Sequence, residues 1–299
     1  MSGGKKVKFL FASDSFKGTL SSKKTAELLT VAAEEIFPGC ECQSIVAADG
    51  GEGTTDAVVA AAGGKKVSLT VHGPLWELVN CTYGILDEKR VIMEMAEASG
   101  ITLITREERH PGKTTSYGTG EMILDALNRG YTDVSIAIGG SATNDGGMGC
   151  MTALGVRFLD KDGRELSGCG NNLIRVKKID ISGLDPRIKS CSFTVMCDVT
   201  NPLCGKDGAT NTFGAQKGGT PEMLDELEQG MRNYRDVIKS EFGIDADQLQ
   251  GAGAAGGLGA ALSIFLNGTL KSGIETVLDL VDFESRLDGV SLVMTGEGV

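Results

Sequence analysis

Acids, glycines and hydroxyls gather at the ends of short apolar runs in this chain: FLFASDSFKG, IVAADGGEGTTD, IAIGGSATNDGGMG, TVMCDVTNPLCG and LVMTGEG. Each run reads as a buried strand. In an open α/β sheet, ligands bind in the crevice beyond the carboxyl ends of the strands. Turn formation and helix capping explain any single ending, because Gly relieves backbone strain and Asp or Ser caps the next helix. Capping does not explain why Asp49, Glu52, Asp145, Asp198 and Glu297 all recur at the same place in the pattern.

The glycine-rich ending, Gly139 to Gly147, lies between a strand-like run and the helix-like Met148 to Leu154. Successive Gly amides and a helix N-terminus hold phosphate oxygens without side-chain charge, and the Ser141 and Thr143 hydroxyls add donors. Gly139, Gly140, Ser141, Thr143 and Asn144 are therefore candidate nucleotide-phosphate contacts, together with Ser15, Gly253 and Gly256. Lys17 stands beside Asp14 and Ser15, as a cation near transferring phosphates must. Acids beside a phosphate cradle suggest Mg²⁺, which takes one or two carboxylates and shares the phosphates of ATP. Asp145 and Glu297 are the candidate metal ligands. Another carboxylate would accept the proton of a substrate hydroxyl. Asp198 and Asp49, with Lys17, are the candidate catalytic groups, and Asp14, Glu52 and Asn201 the candidate substrate contacts. Spacing alone leaves open which acid performs which task. The chemistry this set supports is phosphate transfer from ATP to the hydroxyl of a small acid.

Other chemistries fit less well. Gly251-Ala252-Gly253-Ala254-Ala255-Gly256 matches the G-x-G-x-x-G dinucleotide fingerprint, but the residues before it, Asp245 to Gln250, are polar and do not read as a buried strand. No Walker-type G-x-x-x-x-G-K-[ST] occurs, so the expected kinase lies outside the P-loop class. With only His72 and His110 and no C-x-x-C, a zinc site is not expected. The formal charge of −11 and the pI near 4.8 disfavour nucleic acid and anionic membrane as partners. The N-terminal apolar stretch is too short for a signal peptide, and no segment is long and apolar enough to span a membrane. The 8 cysteines then read as thiols of a reducing compartment, which implies the cytoplasm.

The elements that must position these residues follow from periodicity. Strands are expected at Val7 to Ala12, Ser44 to Ala48, Val91 to Ala96, Val134 to Ile138, Phe193 to Cys197 and Val290 to Thr295. Amphipathic helices lie between them. One spans Lys24 to Phe37, with Ser21 or Ser22 as N-cap and Ala26, Leu29, Ala33 and Ile36 on one face. Another opens at Thr220-Pro221-Glu222 and runs to about Lys239. Alternation from Lys65 to Ile101, with a hairpin turn around Leu86 to Arg90, predicts a mixed sheet there. The fold class is α/β, and the length suits two domains.

Several long segments resemble, in order, the signatures of the bacterial type-1 glycerate kinase family: DSFKGTLSS at 14–22, ADGGEGTTDA at 48–57, KTTSYGTGE at 113–121, IGGSATNDGGMG at 138–149, CDVTNPLCG at 197–205 and GAGAAGGLGAAL at 251–262. The resemblance implies ATP-dependent phosphorylation of D-glycerate, giving 2-phosphoglycerate in the best-known branch. It also implies a flavodoxin-like parallel-sheet domain made from both chain ends (1–70 and 280–299), with a second α/β domain inserted at 71–279. The family continues past the TGEG motif, whereas here Val299 follows Gly298, so a shortened member is expected. A silent nucleotide- or anion-binding remnant is the alternative reading. A homo-oligomer stays open.

Overall fold

The structure is a computed structural model, and it describes residues 6–13, 16, 19–46, 51 and 53–296. Along the chain the elements are β1 (Lys8–Ser13), α1 (Ser22–Ile36), β2 (Glu41–Val46), α2 (Thr54–Ala62), β3 (Lys65–His72), β4 (Leu78–Ile85), β5 (Arg90–Glu94) and α3 (Ala96–Ser99). Next come α4 (Tyr117–Asn128), β6 (Asp133–Ala137), α5 (Met148–Ala153), β7 (Arg157–Leu159), β8 (Lys178–Asp180), β9 (Ser192–Met196), α6 (Ala209–Phe213) and α7 (Pro221–Phe242). The chain ends with α8 (Leu258–Leu266), β10 (Thr269–Lys271), α9 (Gly273–Leu280), α10 (Phe283–Arg286) and β11 (Leu292–Gly296).

Every strand expected from an apolar run is present, and the fold is α/β. The two ends of the chain share a parallel three-stranded sheet in the order β11-β1-β2. Its central strand buries Phe9, Leu10, Phe11 and Ala12 on both faces, as a nearly unbroken apolar strand between parallel neighbours should. The middle of the chain forms a six-stranded sheet, β10-β9-β6-β5-β4-β3. Within it β5, β6, β9 and β10 are parallel, while β3 and β4 are antiparallel. The mixed sheet expected from residue 65 onward is thus present. Its hairpin turn closes with Leu86 N–H donating to the Arg90 carbonyl (2.9 Å), and the Asp87 carboxylate accepts from the amides of Lys89 and Arg90. Residue 70, the expected first domain boundary, falls inside β3 and therefore inside this sheet.

Alternation along β5 divides its side chains between two cores. Val91 and Met93 enter the large core under α4, α5, α7 and α8. Ile92 faces the other way, into a cluster with Ala137, Met196, Leu10, Ile45, Val58 and Val277. That second cluster, filled by α2 and α9, joins the two sheets and sets the ends of β2, β6 and β9 near one another.

Helix α1 starts as expected, with the Ser21 side chain accepting from Lys24 N–H (3.2 Å). Its buried face needs a correction. Thr25 and Ala33 are buried and Leu29 is half-buried, while Ile36 is 70% exposed. The i, i+4 row through 25, 29 and 33 meets the sheet, and the last turn runs off its edge. Helix α7 opens on the Thr220 cap, with Pro221 in its first turn, and closes on Gly243 in the left-handed conformation. Among the described residues, no helix is long and apolar enough to cross a membrane.

Candidate active site

A cavity of about 440 Å³ opens beyond the carboxyl ends of β6 and β9. β6 delivers Ile138, Gly139, Gly140 and Ser141 to it, and β9 delivers Cys197 and Asp198. Gly51 comes from the segment between β2 and α2, and Lys217 from a short turn after α6. Ile101, Met196, Val199 and Phe213 give part of the wall an apolar surface. Several of the strand endings picked out in the sequence therefore do meet at one place.

The 139–147 loop is fixed from behind. Ala142 N–H donates to the Ser99 carbonyl (2.9 Å), Ile101 N–H to the Gly140 carbonyl (2.9 Å) and Gly146 N–H to the Gly256 carbonyl (2.9 Å). Gly140 has φ +71°, which an L side chain rarely adopts, so glycine is needed where the loop turns toward the cavity. Thr143 and Asn144, expected to touch phosphate, are fully buried. The Thr143 hydroxyl donates to the Ala255 carbonyl (3.4 Å), and the Asn144 amide donates to Thr210 Oγ1 (3.0 Å). They hold the loop and do not line the cavity, whereas Gly139, Gly140 and Ser141 do.

Asp145, expected as a metal ligand, is completely buried and does not reach the cavity. Its Oδ2 accepts from Ser116 N–H (2.8 Å), Ser116 Oγ–H (2.8 Å) and Gly149 N–H (3.1 Å), and its Oδ1 accepts from Gly147 N–H (3.0 Å). Burial raises its pKa, and those donors oppose the shift. This carboxylate ties α4 and α5 to the loop. Spacing could not reveal this, because an acid that caps a helix from inside and one that faces a ligand look alike in sequence.

Asp198 is exposed on the cavity wall. Its Oδ1 accepts from Ser272 Oγ–H and Gly273 N–H, both at 3.0 Å, which fixes the carboxylate against the start of α9. Asn201 does not line the cavity. Its side-chain amide donates to the Asp207 carbonyl (2.7 Å), and its backbone carbonyl accepts from Gly253 N–H (2.9 Å).

The G-x-G-x-x-G run follows a short turn at Ala246–Gln248 rather than a strand, so it lacks the strand that a dinucleotide fingerprint requires. Its glycines permit close backbone packing. A Cβ on Gly253 would lie 2.2 Å from the Pro202 carbonyl oxygen, and one on Gly256, at φ +67°, would lie 2.1 Å from that of Thr143. Neither glycine lines the cavity; Ala254 and Ala255 between them do.

Two functional candidates were not picked out in the sequence. Lys217 is 2% exposed, and its ammonium donates to Ser141 Oγ (2.8 Å) and to the Thr143 carbonyl (2.6 Å). Nothing in AQKGG distinguishes it from a solvated lysine. Glu94 closes β5 and is buried, accepting from Thr55 N–H (2.7 Å) and Gly53 N–H (3.2 Å) at the start of α2. Burial raises its pKa, with those bonds acting in the opposite direction. An acid inside the apolar run VIMEM was the available signal. Asp14, Ser15, Lys17, Asp49, Glu52 and Glu297 lie outside the described residues. Among the described residues, no group of three or more His, Cys, Asp or Glu side chains is arranged to hold a metal.

A model of the glycerate kinase family matches residues 9–299. The chain belongs to the glycerate kinase family. It is, accordingly, a kinase. Glycerate 2-kinase of Escherichia coli (strain K12) is 48% identical over 293 residues, covering 98% of this chain and 77% of that protein. Glycerate kinase of Bacillus subtilis (strain 168) is 45% identical with the same coverage. A crystal structure of a related protein from Salmonella typhimurium LT2 superimposes with a TM-score of 0.94 at 45% identity, over 98% of this chain and 79% of that one. These matches run through nearly the whole chain and give no support to a silent family remnant.

Proposed function

We propose that this kinase transfers the γ-phosphoryl group of ATP to D-glycerate, giving 2-phosphoglycerate, in the cavity beyond β6 and β9. The observation that carries this reading is the convergence there of a glycine-rich phosphate loop, Gly139 to Ser141, and a carboxylate, Asp198. The cavity lies within the range of about 300–1,000 Å³ usual for small-molecule sites. Its apolar wall, with Ile101 and Phe213, suits a purine, while the glycine turn suits phosphates.

Asp198 is the group best placed to accept the proton of the acceptor hydroxyl. Its bonds to Ser272 and Gly273 hold it in one orientation, which general-base catalysis needs. Mg²⁺ is a hard cation that requires only one or two carboxylates beside the nucleotide phosphates; with Asp198 as the base it would need another acid, and Glu297, the candidate from the sequence, lies outside the described residues. Bound Mg²⁺ would neutralise charge on the phosphates. Glu94, through its bonds to Gly53 N–H and Thr55 N–H, positions the Gly51 segment at the start of α2. The two sheets support reading the chain as a unit built on β1, β2 and β11 beside a unit built on the six-stranded sheet.

The test is ADP release dependent on D-glycerate, measured for the wild type and for Asp198→Asn. The expected result is turnover in the wild type and a loss of at least about 100-fold in the variant. Full activity in Asp198→Asn would remove Asp198 from the chemistry.

A further inference from the structure

Lys217 stands in a position that is hard to explain by packing alone. It is 2% exposed, it is one of the residues lining the cavity, and both oxygens its ammonium touches, Ser141 Oγ and the Thr143 carbonyl, are neutral. Among the described residues it makes no salt bridge, and Asp145 is the one charge whose field supports its protonated form. Buried ammonium groups are ordinarily paired with an anion. An ammonium has three protons, so one is left after the two bonds observed. The cavity is the side on which a counter-ion can arrive.

The geometry points to Lys217 as the cation that receives an anionic oxygen of a bound ligand, either the terminal phosphate of the nucleotide or the carboxylate of the acceptor. Ser141 is the second donor of the same subsite. Because its oxygen accepts from Lys217, its hydroxyl proton is left to point elsewhere, and Ser141 also borders the cavity. The inference rests on the proposed function only in taking this cavity as the ligand site.

The electrostatics around the ammonium support this assignment. Burial pushes the Lys217 pKa down to about 7 in the free protein. Asp145 works against that shift but stays engaged with Ser116, Gly147 and Gly149. Asp198 lies on the same cavity, and Arg109 sits behind the Lys217 turn, with its guanidinium on the Gln216 carbonyl (3.3 Å). An anion arriving on the cavity side favours the protonated lysine, so its binding must draw in a proton.

The experiment is calorimetry at pH 8 in buffers of different ionisation enthalpy, with ADP, β,γ-imido-ATP and D-glycerate as ligands. Expected is uptake approaching about one proton for the ligand that Lys217 meets, shrinking below pH 7. Uptake with imido-ATP but not ADP assigns the terminal phosphate, and uptake with glycerate assigns the carboxylate. Lys217→Arg, permanently charged, should bind that ligand without proton uptake. Lys217→Met should weaken it at least tenfold and leave the other ligand unchanged. Proton uptake that persists unchanged in Lys217→Arg overturns the inference, and so does wild-type affinity for all ligands in Lys217→Met. These readouts need no turnover, so a failure to phosphorylate glycerate would count against the proposed reaction and not against this assignment.

Discussion

Replacing Asp145 with Asn separates a carboxylate that holds the fold from one that holds a metal. The best orientation of the amide keeps its oxygen where Oδ2 stands, retaining Ser116 N–H, Ser116 Oγ–H and Gly149 N–H. The amide nitrogen then faces Gly147 N–H, donor against donor. A buried donor left unpaired costs about 1–3 kcal/mol, and the retained bonds weaken because their acceptor is no longer charged. Part of this is offset because a neutral group no longer has to be desolvated as an anion. The net loss should be about 3 kcal/mol. An unfolding entropy of roughly 2 cal/mol/K per residue over 299 residues converts that to a Tm about 5 °C lower. Thermal melts of wild type and Asp145→Asn in EDTA provide the assay, repeated with Mg²⁺. An unchanged Tm in EDTA, together with loss of any stabilisation by Mg²⁺, would refute the structural role and return Asp145 to the metal.

Other outcomes follow from the same geometry. Asp198→Ala should lower the Tm slightly, by the value of a lost cap on α9, about 1 kcal/mol, whereas Asp198→Asn keeps the Oδ1 acceptor and should melt with the wild type. Gly256→Ala and Gly63→Ala form a matched pair, because both positions have φ near +68°. The new methyl clashes with the Thr143 carbonyl only in the first, so urea titration should give a loss of about 1 kcal/mol for Gly63→Ala and several for Gly256→Ala. Equal losses would mean that the 143–146 backbone yields freely to the 254–257 segment. For Lys217, the folded pKa lies below the unfolded one, so the unfolded state holds more protons between about 7 and the ordinary lysine value. The lysine's contribution to stability should therefore rise with pH across that window, by up to about 1.4 kcal/mol per unit, and the difference between wild type and Lys217→Met from pH 7 to 9 should show it. A flat difference would mean that Lys217 stays protonated in the free protein.

The frame of this protein was legible because its signals are local. Apolar runs such as Val134 to Ile138 and Phe193 to Cys197 are buried on both faces, and strands of that kind show themselves as short unbroken stretches. Ser21 and Thr220 announced their helices through capping chemistry. The parts of the site that were misread depend on burial, which spacing does not carry. Asp145 and Asn144 sit in the same loop as Gly140 and Ser141, yet the loop turns two of them inward and two toward the cavity. Lys217 arrives from a turn far along the chain, and only tertiary packing makes it a wall of the cavity. The face of α1 drifted for a related reason: where the sheet ends decides whether the last turn, with Ile36, is covered.

The central claim is phosphoryl transfer from ATP to the hydroxyl of D-glycerate, and phosphorus NMR of a mixture of this protein, Mg-ATP and D-glycerate tests it most directly. The account predicts decay of the γ-phosphate signal matched by growth of a phosphomonoester signal with the coupling pattern of 2-phosphoglycerate. A folded, ATP-binding protein that yields no phosphoglycerate, or that releases only inorganic phosphate, would contradict it.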